Sequence, residues 1–279
     1  MHISFIGAGK VGTSLGKYFQ TKGIPVVGYY SKTLKSAQEA AQFTNSNYYS
    51  NLQQMISDSD VIFFTVPDDD IQTVWEENRK FISNKIIIHC SGLGSSKIFS
   101  EAEAYNCMAY SVHPLCAVGS KEHSYKHLSE TMFTIEGDEK YISNINSFFT
   151  GLGNPTKIIS WKDKTKYHAA ASLASNHMTA IFYVAKQMLT QCGFDEAEAE
   201  HELFKLAEGN LVNIGKMGAV NSLTGPIERG DVETVRKHLQ VLKDDERSIY
   251  EDLAGKLIEI SEIKHPDKSY EEMKEIFKK

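Results

Sequence analysis

Short apolar runs separated by polar stretches of helical period dominate the first 160 residues. "HISFIG", "IPVVGYY", "DVIFFTVP", "KIIIHCSG", "CMAYSVHP", "TMFTIEG" and "TKIIS" read as strands of four to eight residues. Val11 to Lys22 and Lys35 to Gln42 carry the helical period between the early strands, which is the βαβ arrangement of a parallel sheet covered on both faces. After Ser160 only helical periodicity remains, broken at "CGF" (192 to 194) and at "NSLTGPIERGD" (221 to 231). The pattern predicts an α/β, Rossmann-type, doubly wound and mostly parallel sheet over residues 1–160, followed by an all-α domain over 161–279.

The punctuation of the strands carries the candidate chemistry. "GAGKVG" places Gly7, Gly9 and Gly12 directly after an apolar strand and directly before a helical run. Glycines there permit a tight turn and close backbone approach, and the helix N-terminus attracts a pyrophosphate, so Gly7, Gly9, Lys10, Val11 and Gly12 form a candidate dinucleotide cradle. An NAD site usually has an acid near the end of the second strand. Here no Asp or Glu occurs before Glu39, whereas Ser31 and Lys32 follow that strand. Their chemistry suits the 2′-phosphate of NADP(H). "VPDDDI" puts Val66 and Pro67 at the cofactor rim with Asp68 as a loop or cap residue, and "HCSG" brings Ser91 to the same crevice. The three adjacent acids do not converge as metal ligands without special geometry, and no metal is expected at them or at His123 and His127.

"YSVHPLCAVG" ends a hydrophobic segment at a histidine followed by proline, which predicts His113 where a strand stops and a loop begins. "YHAAASLASNH" is alanine-rich and helical; at about 100° per residue, His168, Ser172 and Ser175 share a sector, Asn176 lies on its shoulder, and His177 projects to the opposite side. Arg229, in the loop "SLTGPIERGD", is a candidate clamp for a substrate carboxylate, and Asp231 a cap for the following helix.

With 279 residues and 41% hydrophobic content the chain can bury a large core, and a net charge of -6 offers no basic excess for nucleic acid. No run approaches a membrane span, and the start of the chain lacks a secretory pattern, so a cytoplasmic protein is expected. Cys90, Cys107, Cys116 and Cys192 form no CxxC pair and read as reduced, mostly buried thiols.

Together "FIGAGKVG", "VPDDDI", "HCSG", "SVHPL", "HAAASLASN" and "LTGPIERGD" resemble a family of small oxidoreductases with an NADP-binding Rossmann domain and an uncharacterised helical domain. These are related to 6-phosphogluconate, β-hydroxyacid and prephenate dehydrogenases, ketopantoate reductase and pyrroline-5-carboxylate reductase. The resemblance covers almost the whole chain. It implies that His113 stands where prephenate dehydrogenases carry a catalytic His-Pro histidine. Ketopantoate reductases carry a Lys-x-x-x-Asn-x-x-x-Asn helix face; its counterpart here is His168, Ser172 and Asn176, of which only Asn176 is kept. The expected reaction is hydride transfer between NADPH and a small carbonyl, a 2-oxo acid such as ketopantoate first. Catalysis is assigned to His113, His168 and Asn176, and substrate binding to Ser91, Ser172 and Arg229. Prephenate-like or imine substrates are the alternatives, and a non-catalytic NADP-binding sensor is the alternative of another class. Apolar positions all around the helix holding Met178, Ile181, Phe182, Val184, Met188 and Leu189 predict a homodimer formed by residues 161–279.

Overall fold

The computed structural model describes residues 1–278. They form two compact units, Met1–Ser175 and Asn176–Lys279 as bounded by their contacts. The sequence expectation set its domain boundary near residue 160; the first helix after the sheet is packed into the sheet unit.

The sheet unit holds eight strands: β1 (Ile3–Ile6), β2 (Val26–Tyr30), β3 (Asn47–Tyr48), β4 (Val61–Phe64), β5 (Ile86–His89), β6 (Met108–Pro114), β7 (Phe133–Gly137) and β8 (Thr156–Ile158). Their spatial order is β3-β2-β1-β4-β5-β6-β7-β8. Strands β1 to β6 are mutually parallel, β7 runs antiparallel to β6, and β8 is parallel to β7. Chain order reverses direction across the sheet between β1 and β4, which is where a doubly wound sheet opens its ligand crevice. Only β3, two residues long, had no counterpart in the apolar pattern.

Helices α1 (Lys10–Thr21), α2 (Leu34–Thr44), α3 (Leu52–Ser57), α4 (Asp68–Asn78) and α5 (Ile142–Gly151) cover the sheet, and α6 (Lys164–Ser172) follows it. The period of two in the central strands divides their side chains between two cores. Ile3, Phe5, Val61 and Phe63 pack with Leu15, Phe19 and Phe149 on one face. Ile6, Ile62 and Phe64 pack with Met55 and Trp75 on the other. The Phe5 ring stacks on Tyr29 at 5.1 Å and on Phe63 at 5.2 Å. Each such fully buried ring contributes roughly 1.5–3 kcal/mol, so the rim that carries the loops rests on a rigid base.

His113 and Pro114 are the last two residues of β6, where the strand end was expected, and they pair with Thr134 and Phe133 of β7. On its other side the ladder with β5 has already stopped at Ser111, so the missing proline N–H is not required there. The cysteines are less buried than expected. Cys107 is buried, Cys90 and Cys116 are half-buried, and Cys192, at a helix end, is exposed.

The helical unit contains α7 (Met178–Gln191), α8 (Glu196–Ser222), α9 (Pro226–Arg229), α10 (Val232–Val241), α11 (Asp244–Lys264) and α12 (Glu271–Ile276). Gly193, with φ +95°, turns the chain after α7, and Gly218, with φ +77°, interrupts α8. Asp231 accepts from Thr234 N at 3.1 Å and caps α10. Ile227, Val235, Leu239, Ala254, Ile258, Tyr270 and Met273 form this unit's core. Among the described residues no helix is long and apolar enough to cross a membrane.

Candidate active site

The glycine loop after β1 is built against the end of β4. Gly7 N donates to Tyr30 O at 2.8 Å, and Thr65 Oγ1 donates to Gly7 O at 2.8 Å. A Cβ on Gly7, whose φ is +106°, would lie 2.6 Å from the Thr65 carbonyl carbon, and one on Gly12 would collide with Thr65 Oγ1. Both glycines are therefore required by the turn itself. Gly9 differs. It is exposed, a Cβ there would meet nothing nearer than Thr65 O at 3.8 Å, and it starts α1 without any side-chain cap. The first N–H groups of α1 thus face outward beside Lys10, which suits a bound pyrophosphate. Val11 is half-buried, Ser31 and Lys32 follow β2, and Val66 and Pro67 close the loop after β4. The residues present fit a dinucleotide with an additional phosphate.

Because β5 and β6 are parallel to β4, their C-terminal ends reach the same rim. Pro67 precedes α4, and Asp68, at the first position of that helix, accepts from Ser91 Oγ at 2.5 Å. The same hydroxyl accepts from Gly94 N at 2.8 Å, so Ser91 fixes its turn and orients the Asp68 carboxylate. One residue further on, Gly92 marks the convergence of two imidazoles. A Cβ placed there would be 2.6 Å from His168 Nδ1 and 3.0 Å from His113 Nε2. His113 Nδ1 shares a 2.7 Å hydrogen bond with Tyr167 OH. His168 Nδ1 is buried with no hydrogen-bond partner among the described residues. A buried ring nitrogen left without a partner is open to a ligand, an ion or a water.

Burial first, and then the Lys164 charge, pull the His113 pKa down to about 4, so this imidazole is neutral at pH 7. His89, fully buried behind the rim between Ser91 N and Ser95 O, is likewise held down to about 4 by burial. Lys164 is 1% exposed, and burial lowers it to about 8. The polar centre of the rim is thus Asp68, Ser91, His113, Lys164, Tyr167 and His168.

Of the residues picked from sequence, His113, His168 and Ser91 come together in this unit. Ser172 is half-buried at the end of α6. The uniform helix expected beyond it is interrupted, because Leu173–His177 forms a π turn. The wider turn changes the phase, so Ser175 and Asn176 do not continue the His168–Ser172 sector by 100° steps. Asn176 and Arg229 belong to the helical unit; Arg229 ends α9, exposed, with its carbonyl accepting from Lys268 Nζ at 2.6 Å. Sequence reasoning missed Lys164 and Tyr167. Lys164 lies four residues before His168 and hence on its face of the helix, a signal that the usual exposure of lysine hid.

The fold and this rim define a Rossmann-type oxidoreductase. Residues 2–92 match the family model described as NADP oxidoreductase, coenzyme F420-dependent, and residues 131–257 match a domain of unknown function, DUF2520. The chain therefore combines an NADP oxidoreductase domain with a DUF2520 domain, and it is an NADP-dependent oxidoreductase. Among solved structures it is similar to protein TM1727 from Thermotoga maritima, with 26% identity over 94% of this chain and 99% of that one and a TM-score of 0.74. It shares its fold with a Plasmodium falciparum pyrroline carboxylate reductase solved with NADP bound, at 16% identity over 95% and 97% of the two chains and a TM-score of 0.62. An imine reductase from a Pseudomonas species gives 14% identity, 94% and 97% coverage and a TM-score of 0.61. No curated protein matches the sequence.

Proposed function

We propose that the protein is an NADPH-dependent reductase of a small carbonyl compound, with a 2-oxo acid as first candidate, acting as a cytoplasmic homodimer. When bound, NADPH supplies hydride to the substrate carbon. The chain's own task is the rest: to cradle the dinucleotide, exclude water and deliver a proton to the oxygen on which negative charge develops. The observation that carries the reading is the convergence of His113 Nε2 and His168 Nδ1 at Gly92, with Tyr167 OH hydrogen-bonded to the far nitrogen of His113. A neutral imidazole with a hydroxyl behind it is a donor relay: Nε2–H gives its proton to the substrate oxygen while Nδ1 takes the Tyr167 proton, which solvent must return to the phenolate before the next turnover, against a burial that raises the Tyr167 pKa.

Gly7, Gly9, Lys10, Val11 and Gly12 cradle the pyrophosphate, Ser31 and Lys32 hold the 2′-phosphate, and Val66 and Pro67 wall the cofactor. Ser91 orients the substrate through the turn it fixes, and Ser172 contributes to substrate binding. One observation favours a second reading. The Asp68 carboxylate, oriented by Ser91, would stabilise the positive charge of a protonated imine, the substrate class named for several structural neighbours. A panel of 2-oxo acids and cyclic imines followed at the NADPH absorbance separates the two. Carbonyl turnover that H113A lowers at least about a hundredfold supports the first reading. Turnover confined to imines and insensitive to H113A overturns it.

The helical unit supports the dimer. Phe204 is 56% exposed and Leu211 47%, and a groove of about 610 Å³ is lined by Met178, Phe182, Phe204, Leu211 and Val212. An apolar face of this extent on α7 and α8 is matched by the same face of a second copy. The four free thiols suit a reducing compartment.

A further inference from the structure

Lys164 is a charged side chain with 1% exposure and, among the described residues, no salt bridge. Burying an ammonium costs stability; Glu136 and Asp68 favour its charge from a distance without a direct ion pair, so its short bonds go elsewhere. Its Nζ donates to Ser91 O at 2.9 Å and to Ser111 Oγ at 2.6 Å. Ser111 Oγ in turn donates to Ser91 O at 3.3 Å. Ser91 is the residue just before Gly92, against which both imidazoles lie, and Lys164 is on the same helix as Tyr167 and His168. One side chain therefore ties both walls of the histidine cradle: the helix that brings His168 and Tyr167, and the turn that brings Gly92.

We propose that Lys164 is the positioning residue of this cradle, fixing helix α6 against the Ser91–Gly92 turn with its charge facing His113. The inference rests on the reading of the two histidines as the proton-delivering pair. The groups that face His113 are Lys164 and His168 from α6, His89 from β5, Asp68 from the start of α4, and the Tyr167 hydroxyl. Of these, Lys164 is the strongest like charge, and it adds to the burial that already holds His113 neutral. Ser91 N and Gly94 N, bonded to His89 Nδ1 and Ser91 Oγ, report on the turn.

The test is an NMR titration of His113, assigned with H113N, together with amide hydrogen exchange of Ser91 and Gly94, in the full-length protein and K164M. The methionine keeps the length of the side chain but neither its charge nor its donors. K164M is expected to raise the His113 midpoint by about one unit and to speed exchange at both amides at least about tenfold. Either readout unchanged in a variant of wild-type melting temperature overturns the proposal. Should K164M fail to fold, K164Q, uncharged but polar, carries the same readouts with the same expected and overturning results. Neither readout involves turnover, so a failure of the hydride-transfer reading is seen separately from a failure of this one.

Discussion

Gly92→Ala is the smallest perturbation that reaches both histidines at once. The residue lacks the positive φ that would strain an alanine, so the effect is confined to the added methyl group. That methyl would be 2.6 Å from His168 Nδ1 and 3.0 Å from His113 Nε2. Ordinary contact needs roughly 3.5 Å, so His168 must retreat by about 0.9 Å and His113 by about 0.5 Å. A displacement near 1 Å in a catalytic group costs on the order of a hundredfold in rate. Overpacking one methyl costs about 1–3 kcal/mol, the lower end applying here because rings can rotate where backbone cannot. We expect kcat/KM to fall about 30- to 100-fold, with the melting temperature lowered by a few degrees at most and the NADPH Kd within about twofold of wild type. Steady-state kinetics on the best panel substrate, a thermal melt and a fluorescence titration of NADPH measure the three quantities. Turnover within threefold of wild type would refute the argument that the space beside Gly92 is where the imidazoles act.

Tyr167→Phe removes the hydroxyl bonded to His113 Nδ1 and should lower kcat about tenfold or more while leaving NADPH affinity unchanged; kcat equal to wild type would remove Tyr167 from the relay. Lys32→Glu should weaken NADPH at least about tenfold and leave NADH nearly unaffected, read by titration of both cofactors, since only the former carries the 2′-phosphate. His89 is depressed to about 4, below the 6.5 of the unfolded chain, so between these values the unfolded state binds the extra proton. Stability from this residue is present above pH 6.5 and is lost as pH falls towards 4, by about 2–3 kcal/mol at most. Urea unfolding at pH 7 and pH 5 should show the drop, and His89→Gln should reduce it by about half, because His113 is held down to the same value; an undiminished drop would exclude His89 as a source. Phe204→Glu with Leu211→Glu should convert the dimer to a species of 31.3 kDa in light scattering, whereas a wild-type protein already at that mass would contradict the assembly.

The strands and the glycine cradle were legible because their signals are local: apolar runs of fixed period, and a turn in which Gly7 and Gly12 are demanded by neighbouring backbone and by Thr65. His113 was found because the proline reads as a strand end, and β6 does end at Pro114; that β7 alone pairs with these last two residues is a long-range fact. His168 was visible through its helix face. Asn176 was placed on the same face only under a uniform 100° step, which the π turn at Leu173–His177 breaks, and nothing in "LASNH" announces a π turn. Lys164 and Tyr167 were hidden by base expectations about exposure. Whether a lysine is solvated or buried under two serines depends on a strand and a turn 53 and 73 residues away in the chain.

If a hydride is moved at this rim, with His113 and His168 handling the proton, the label on the cofactor must reach the product. NADPH deuterated at the transferable position is incubated with wild-type protein and a panel of 2-oxo acids and cyclic imines, with products read by mass spectrometry. A product one deuterium heavier is expected from at least one 2-oxo acid, and its loss in the H113A/H168A double variant, which still binds NADPH. Saturable NADPH binding by the wild type with no deuterium in any product would contradict it, and would leave a protein that binds NADP without transferring its hydride.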